Sequence, residues 1–137
     1  ALARLPELLT QQLVLVKEDG IGNVLDATAV QLAGALDDRY ASAVRKDDLG
    51  VSVSAGDTRF RLWAPTARQV AVCVYETGAS TALQVAPMRW DAESGIWSHE
   101  LPGDFSGKYY SYVFDVYAPG IGLGLQGVGR ECGDQWP

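Results

Sequence analysis

The sequence predicts a mainly β protein, an antiparallel β-sandwich with a short N-terminal strand and helix segment. Three observations carry that expectation. From Val51 onward, β-branched and aromatic runs recur at short spacing, separated by clusters of Gly, Pro, Asp and Ser. Within these runs apolar side chains alternate with others, the period-2 pattern of strands with one buried face. Hydrophobic residues make up 47% of the 137 residues, enough for a packed core. A (β/α)8 barrel needs roughly 250 residues, so this chain is too short to be one.

Taken in order, residues 6–9 suit one helical turn. Residues 12–17 (QLVLVK) are β-branched and read as a strand, residues 18–23 (EDGIGN) as a turn, and residues 24–31 as a returning strand or extended segment. Residues 37–46 (DDRYASAVRK) predict a short helix capped by Asp37, with Arg45 and Lys46 suiting its C-terminal end and Gly50 marking the stop. Strands follow at 51–54 and 59–63, the second closed by Ala64-Pro65-Thr66, and at 69–76. Residues 83–90 and 95–101 flank 91–94 as a predicted hairpin, and 108–117 form a long aromatic strand. Alternation puts Val70, Val72 and Val74 on a core face, and likewise Tyr110, Tyr112, Phe114 and Val116. Trp97, His99 and Leu101 line up together, as do Met88 and Trp90. Phe60 and Leu62 point one way, while Arg59, Arg61 and Trp63 point the other.

Composition narrows the function. A net charge of −6 repels phosphate backbones and anionic lipid, so neither nucleic acid nor membrane is an expected partner. Neutral sugars are indifferent to that field. No run is long enough to span a bilayer, and residues 1–9 carry Arg4 and Glu7 in place of the apolar core of a signal peptide. Cys73 lies in an apolar strand pattern and reads as a small buried hydrophobe. Its spacing to Cys132 does not suggest a disulfide, and no Cys/His cluster indicates zinc.

Catalytic patterns are weak. The acidic pairs Asp37-Asp38 and Asp47-Asp48 read as solvated helix ends, and no carboxylate pair is marked out for glycoside hydrolysis. His99 is the single histidine, and Ser98 points to the opposite face of its strand, which is wrong for a triad. The glycines of residues 120–129 fit G-x-G-x-x-G by letter, with no βαβ unit around them. No metal or cofactor is expected. Exposed aromatic faces remain, on which sugar rings can stack; Trp63, Trp90, Trp97, Tyr109 and Tyr117 are the candidates. Core packing is the alternative for each, and is favoured for Trp97.

The stretches FRLWAPTARQVAVCVYE (60–76) and PMRWDAESGIWSHELPGDFSGKYYSYVFDVYAPG (87–120) resemble the immunoglobulin-like family 48 carbohydrate-binding module that precedes the family 13 barrel in bacterial pullulanase-type α-1,6-glucosidases. Residues 12–41 resemble the segment before that module, the end of an earlier β-domain. The resemblance implies an immunoglobulin-like sandwich over 48–120, a remnant of the preceding domain plus short helix over 1–47, and a non-family Gly-rich tail over 121–137. That tail lacks the T-D-P-Y continuation of relatives, and a shifted reading frame or altered gene end is its expected origin. The chain is then expected to stop before the barrel, with no catalytic residues of its own.

The implied role is a non-catalytic accessory module of an α-glucan debranching enzyme, its partners an α-glucan and, in full-length relatives, the family 13 barrel. The implied setting is extracellular or periplasmic. A structural or docking domain that binds no sugar is the alternative. Glycogen-binding relatives carry a lysine near the position of Lys108 and a second tryptophan near Tyr117, whereas the turn TGASTALQ (77–84) holds no aromatic. The candidate sugar-binding residues are therefore Trp90, Lys108, Tyr109 and Tyr117, and the candidate domain contacts are Arg61 and Trp63.

Overall fold

The computed structural model describes residues 2–54 and 56–117. A short N-terminal helix α1 (Leu5–Leu8) leads into a two-stranded hairpin, β1 (Val14–Glu18) and β2 (Val24–Ala29). Helix α2 (Ala33–Arg39) and a 3-10 turn (Ala41–Arg45) connect it to the sandwich. One sheet of the sandwich contains β3 (Gly50–Ser54), β4 (Asp57–Trp63), β8 (Ile96–Pro102) and β7 (Arg89–Asp91), in that order. The other contains β6 (Ala82–Pro87), β5 (Gln69–Tyr75) and β9 (Tyr109–Asp115). Every pairing is antiparallel, as the short turns between runs predicted.

The core lies where the two sheets face each other. Val70, Val72 and Val74 line β5's inner side, opposite Phe60 of β4 and Trp97 and Leu101 of β8; all are buried. Stiff β-branched side chains suit this pleated surface because they have little rotamer freedom to lose. Cys73 is fully buried, as predicted, but it is disulfide-bonded. Cys132 lies outside the described residues, as do 118–137 in general.

Three expectations need correction. The helix predicted over 37–46 occupies 33–39 and breaks at Tyr40, so Asp37 sits inside α2 and caps nothing. Tertiary anchoring decides the break. Tyr40 is buried against the turn before β8, its ring 3.1 Å from where a Cβ on Gly95 would stand. On either side, Arg39 Nη2 donates to the Ala92 carbonyl (3.0 Å) and Ser42 Oγ donates to that of Glu93 (3.2 Å). Gly50 opens β3 at φ +98° and does not end the helix.

The single strand predicted over 83–90 is two strands in different sheets. Met88 stands at the crossing, buried, with its N–H on the Val70 carbonyl (2.8 Å). Pro87 before it has no N–H to continue the ladder. The 91–94 hairpin itself forms as predicted, pairing Trp90 with Trp97.

On β9 the predicted core row is only half buried. Tyr112 and Val116 pack on the core, whereas Tyr110 and Phe114 are 42% and 47% exposed. Among the described residues β9 is an edge strand, and part of its inner face meets no opposing strand there.

Thr58 couples core and loop. It is 1% exposed, donates to the Gly103 carbonyl (2.9 Å) and accepts from the Phe105 N–H (3.1 Å). These two bonds fix the 103–107 turn that delivers Lys108 and Tyr109. Replacing the hydroxyl by a methyl leaves both backbone groups without this partner, so Thr58→Val is expected to cost about 1–3 kcal/mol, measured by urea unfolding.

The β1–β2 hairpin is exposed along its whole length. Alternation and register gather Val14, Val16, Leu25, Ala27 and Ala29 on one face. Its turn is closed by Asp19, whose carboxylate accepts from the Ile21 and Asn23 N–H groups and from the Asn23 side chain. The Asn23 side-chain bond is the main reason that this carboxyl is held below its usual range.

Candidate carbohydrate-binding and docking surfaces

Lys108 and Tyr109 come together at one end of the sandwich. Strand pairing sets Tyr109 opposite Tyr75, one residue before Glu76, and Lys108 Nζ forms an ion pair with the Glu76 carboxylate. Tyr109 is 58% exposed, and its ring passes 3.8 Å from the point that a Cβ on Gly78 would occupy. Beside it opens a cleft of about 280 Å³ between the edge strands, with Val51 and Val53 of β3 on one side and Tyr110 on the other. Tyr110 is steadied edge-on by Phe60 (5.5 Å) and Tyr112 (5.6 Å). Burial pushes the Tyr112 hydroxyl up to about 12, so it stays protonated. The result is an exposed aromatic plate flanked by a fixed ammonium and carboxylate, the mixture of apolar face and polar rim that neutral polyols need.

Trp90 and Tyr117 lie toward the other end. From Tyr109 to Asp115 the strand alone runs roughly 20 Å, and Tyr117 is farther still, its hydroxyl donating to Gln12 Oε1. Trp90 packs on the core and stacks on Trp97, ring centroids 6.2 Å apart at 27°. Its indole N–H is buried with no hydrogen-bond partner among the described residues. The four candidate sugar residues therefore form no single constellation. Glu76, which the sequence reading missed, belongs with Lys108 and Tyr109; its place at the end of a valine-rich strand opposite an aromatic one was the available signal.

Arg61 and Trp63 share the outer face of the four-stranded sheet, as alternation predicted. Arg61 pairs with Asp48, and that hydrogen bond holds the Asp48 carboxyl below its usual range. Trp63 is 38% exposed, and its indole N–H donates to the Ser94 carbonyl (3.1 Å). The 91–95 turn is thus held from both sides, by Trp63 and by the Tyr40 segment. Asp91 within it accepts from Ser94 Oγ and the Glu93 N–H, and the Ser94 bond is the main cause of its lowered pKa. A groove of about 470 Å³ runs along this face between Arg59, Arg61 and Arg89, with Ser98 and Glu100 beside them.

The shifted carboxyls Asp19, Asp48, Asp91 and Asp104 are all held down by hydrogen bonds, whereas a general acid needs the opposite shift. Among the described residues, no three His, Cys, Asp or Glu side chains group to hold a metal, and no helix is long and apolar enough to cross a membrane.

The described residues form an antiparallel sandwich with an aromatic and ionic edge. The family model for carbohydrate-binding module 48 (isoamylase N-terminal domain) matches residues 48–136, and the chain belongs to that family. The match runs past residue 120, where the sequence pattern had placed the module's end. A model for the pullulanase N2 domain matches residues 1–38.

The relatives are pullulanases. That of Klebsiella pneumoniae is 41% identical over 119 residues, 85% of this chain and 11% of the relative. Pullulanase 1, chloroplastic, of Arabidopsis thaliana is 32% identical over 114 residues, 82% of this chain and 11% of the relative. The crystal structure of apo pullulanase from Klebsiella pneumoniae superposes with a TM-score of 0.77 at 36% identity, over 84% of this chain and 12% of that one. Its complex with maltotriose gives the same TM-score and identity, over 84% and 11%. The chain spans about a tenth of the length of these relatives.

Proposed function

We propose that this chain is a non-catalytic module of an α-glucan debranching enzyme, and that it binds α-glucan weakly through Tyr109, Lys108 and Glu76. The module proper begins near residue 48, and residues 1–47 are a remnant of a preceding β-domain plus a short helix. The observation that carries the reading is the 58%-exposed Tyr109 ring beside the Lys108–Glu76 ion pair, on a chain of a carbohydrate-binding family. A glucose ring would lay its apolar C–H face on the phenol, while the ammonium and carboxylate bond its hydroxyls. Trp90, stacked on Trp97, and Tyr117 support the opposite end and do not share this contact.

Electrophoresis through gels containing glycogen or amylopectin tests the reading. Retardation is expected, with Tyr109→Ala weakening it about ten-fold and Lys108→Ala weakening it less. Unchanged mobility down to millimolar affinity, or retardation that survives Tyr109→Ala, counts against it. The clean chain is expected to release no reducing sugar from pullulan.

A second reading is favoured by Trp63, which stands 38% exposed on an arginine-bearing face. It is docking onto a neighbouring domain, the family 13 barrel in full-length relatives, through Arg61 and Trp63. The two roles use different surfaces and are compatible.

A further inference from the structure

We propose that the outer face of the four-stranded sheet docks an acidic polypeptide segment, with Arg89 as the anchor for its carboxylates. The inference builds on the docking reading of Arg61 and Trp63 and is independent of glucan binding. Strand register places Arg89, Ser98 and Arg61 in one cross-strand row, since Ser98 pairs with both. The two arginines are thus two strand spacings apart, roughly 10 Å between backbones, with a small hydroxyl between them. Arg59 and Glu100 form the next row. In a chain of net charge −6, this groove gathers arginines from β4 and β7, and like charges on one sheet face cost stability.

Their neutralisation is incomplete. Arg59 directs Nε and Nη2 to one oxygen of Glu100, at 3.1 and 3.0 Å. Arg61 spends Nη1 on Asp48. Arg89 is exposed and has no ion-pair or hydrogen-bond partner for its side chain among the described residues. A guanidinium offers five N–H donors, so donors remain on all three. A protein segment fits better than a small anion because Trp63 lies two residues beyond Arg61 on the same face, and tryptophan with arginine makes up the energetic centre of many protein interfaces. The occupant is therefore a segment with two carboxylates about 10 Å apart, beside an apolar side chain that covers the Trp63 ring.

Fluorescence anisotropy with labelled hexaglutamate, at physiological salt and against labelled hexaglutamine, tests this on the full chain. Hexaglutamate is expected to bind and hexaglutamine not. Arg89→Glu is expected to weaken binding roughly ten-fold and Arg89→Gln less, with Trp63→Ala also weakening it; thermal melts verify that each variant folds. Equal binding of the two peptides, wild-type affinity in both folded Arg89 variants, or full displacement by sulfate at matched charge would overturn the proposal. The Arg89 variants are expected to keep wild-type mobility in glycogen gels. Peptide binding without glycogen retardation removes the glucan reading alone; retardation without peptide binding removes this one alone.

Discussion

Trp97→Ala is expected to remove about 3–5 kcal/mol of folding stability, the largest effect of any single substitution considered. The side chain is 7% exposed and sits in the shared core of both sheets. Its indole N–H donates to the Ala64 carbonyl (3.0 Å), which fastens the Ala64-Pro65-Thr66 turn to β8. Its ring also backs Trp90, so truncation leaves a cavity and an unsupported neighbour at once. Trp97→Phe separates the contributions: it keeps most of the ring and loses the bond to Ala64, with an expected cost of about 1 kcal/mol for that bond, in addition to a smaller packing loss. Urea unfolding of both variants measures the split. Equal losses would mean that the hydrogen bond, and not burial, is the principal role.

Gly95→Ala is expected to cost about 2–5 kcal/mol. Gly95 has φ +71°, where an L side chain loses about 1–2 kcal/mol. The space is closed as well: a Cβ there would stand 2.9 Å from Pro65 Cβ and 3.1 Å from the Tyr40 ring. Overpacking of this kind adds about 1–3 kcal/mol. Because this turn also receives Trp63, Arg39 and Ser42, relief of the clash should loosen the Tyr40 segment from the sandwich. Unfolding midpoints measure the cost, and amide exchange around Tyr40 reads the loosening. A variant as stable as the parent would show that the turn and the Tyr40 ring are not packed as described.

The sandwich was legible in the sequence because its cause is local. Valines at 70, 72 and 74 alternate, and turn residues stand between the runs; no long-range information is needed to read either. The errors arose where distant contacts decide. Tyr40 stops α2 because it must reach Gly95, 55 positions away, and the charge pattern of residues 37–46 holds no trace of that. The switch of sheets at Met88 looked like one strand because both halves are equally β-prone; only the choice of partner separates them. Tyr110 and Phe114 alternate correctly, yet face an open edge, and edge position depends on the whole topology. The same limit explains the candidate site. Lys108 and Tyr109 are neighbours in sequence and stayed together. Tyr117 fell at the far end of the strand, Trp90 joined the core, and Glu76 entered only through strand pairing.

Titration of the isotopically labelled chain with maltotriose, followed by backbone amide shifts, tests whether the Tyr109 end of the sandwich holds α-glucan. Saturable shifts are expected at Glu76, Lys108 and Tyr109 and in the 103–107 turn, with the amides of Arg61, Trp63 and Arg89 unmoved. No shifts up to solubility, or shifts confined to the Trp63 face, would contradict glucan binding there.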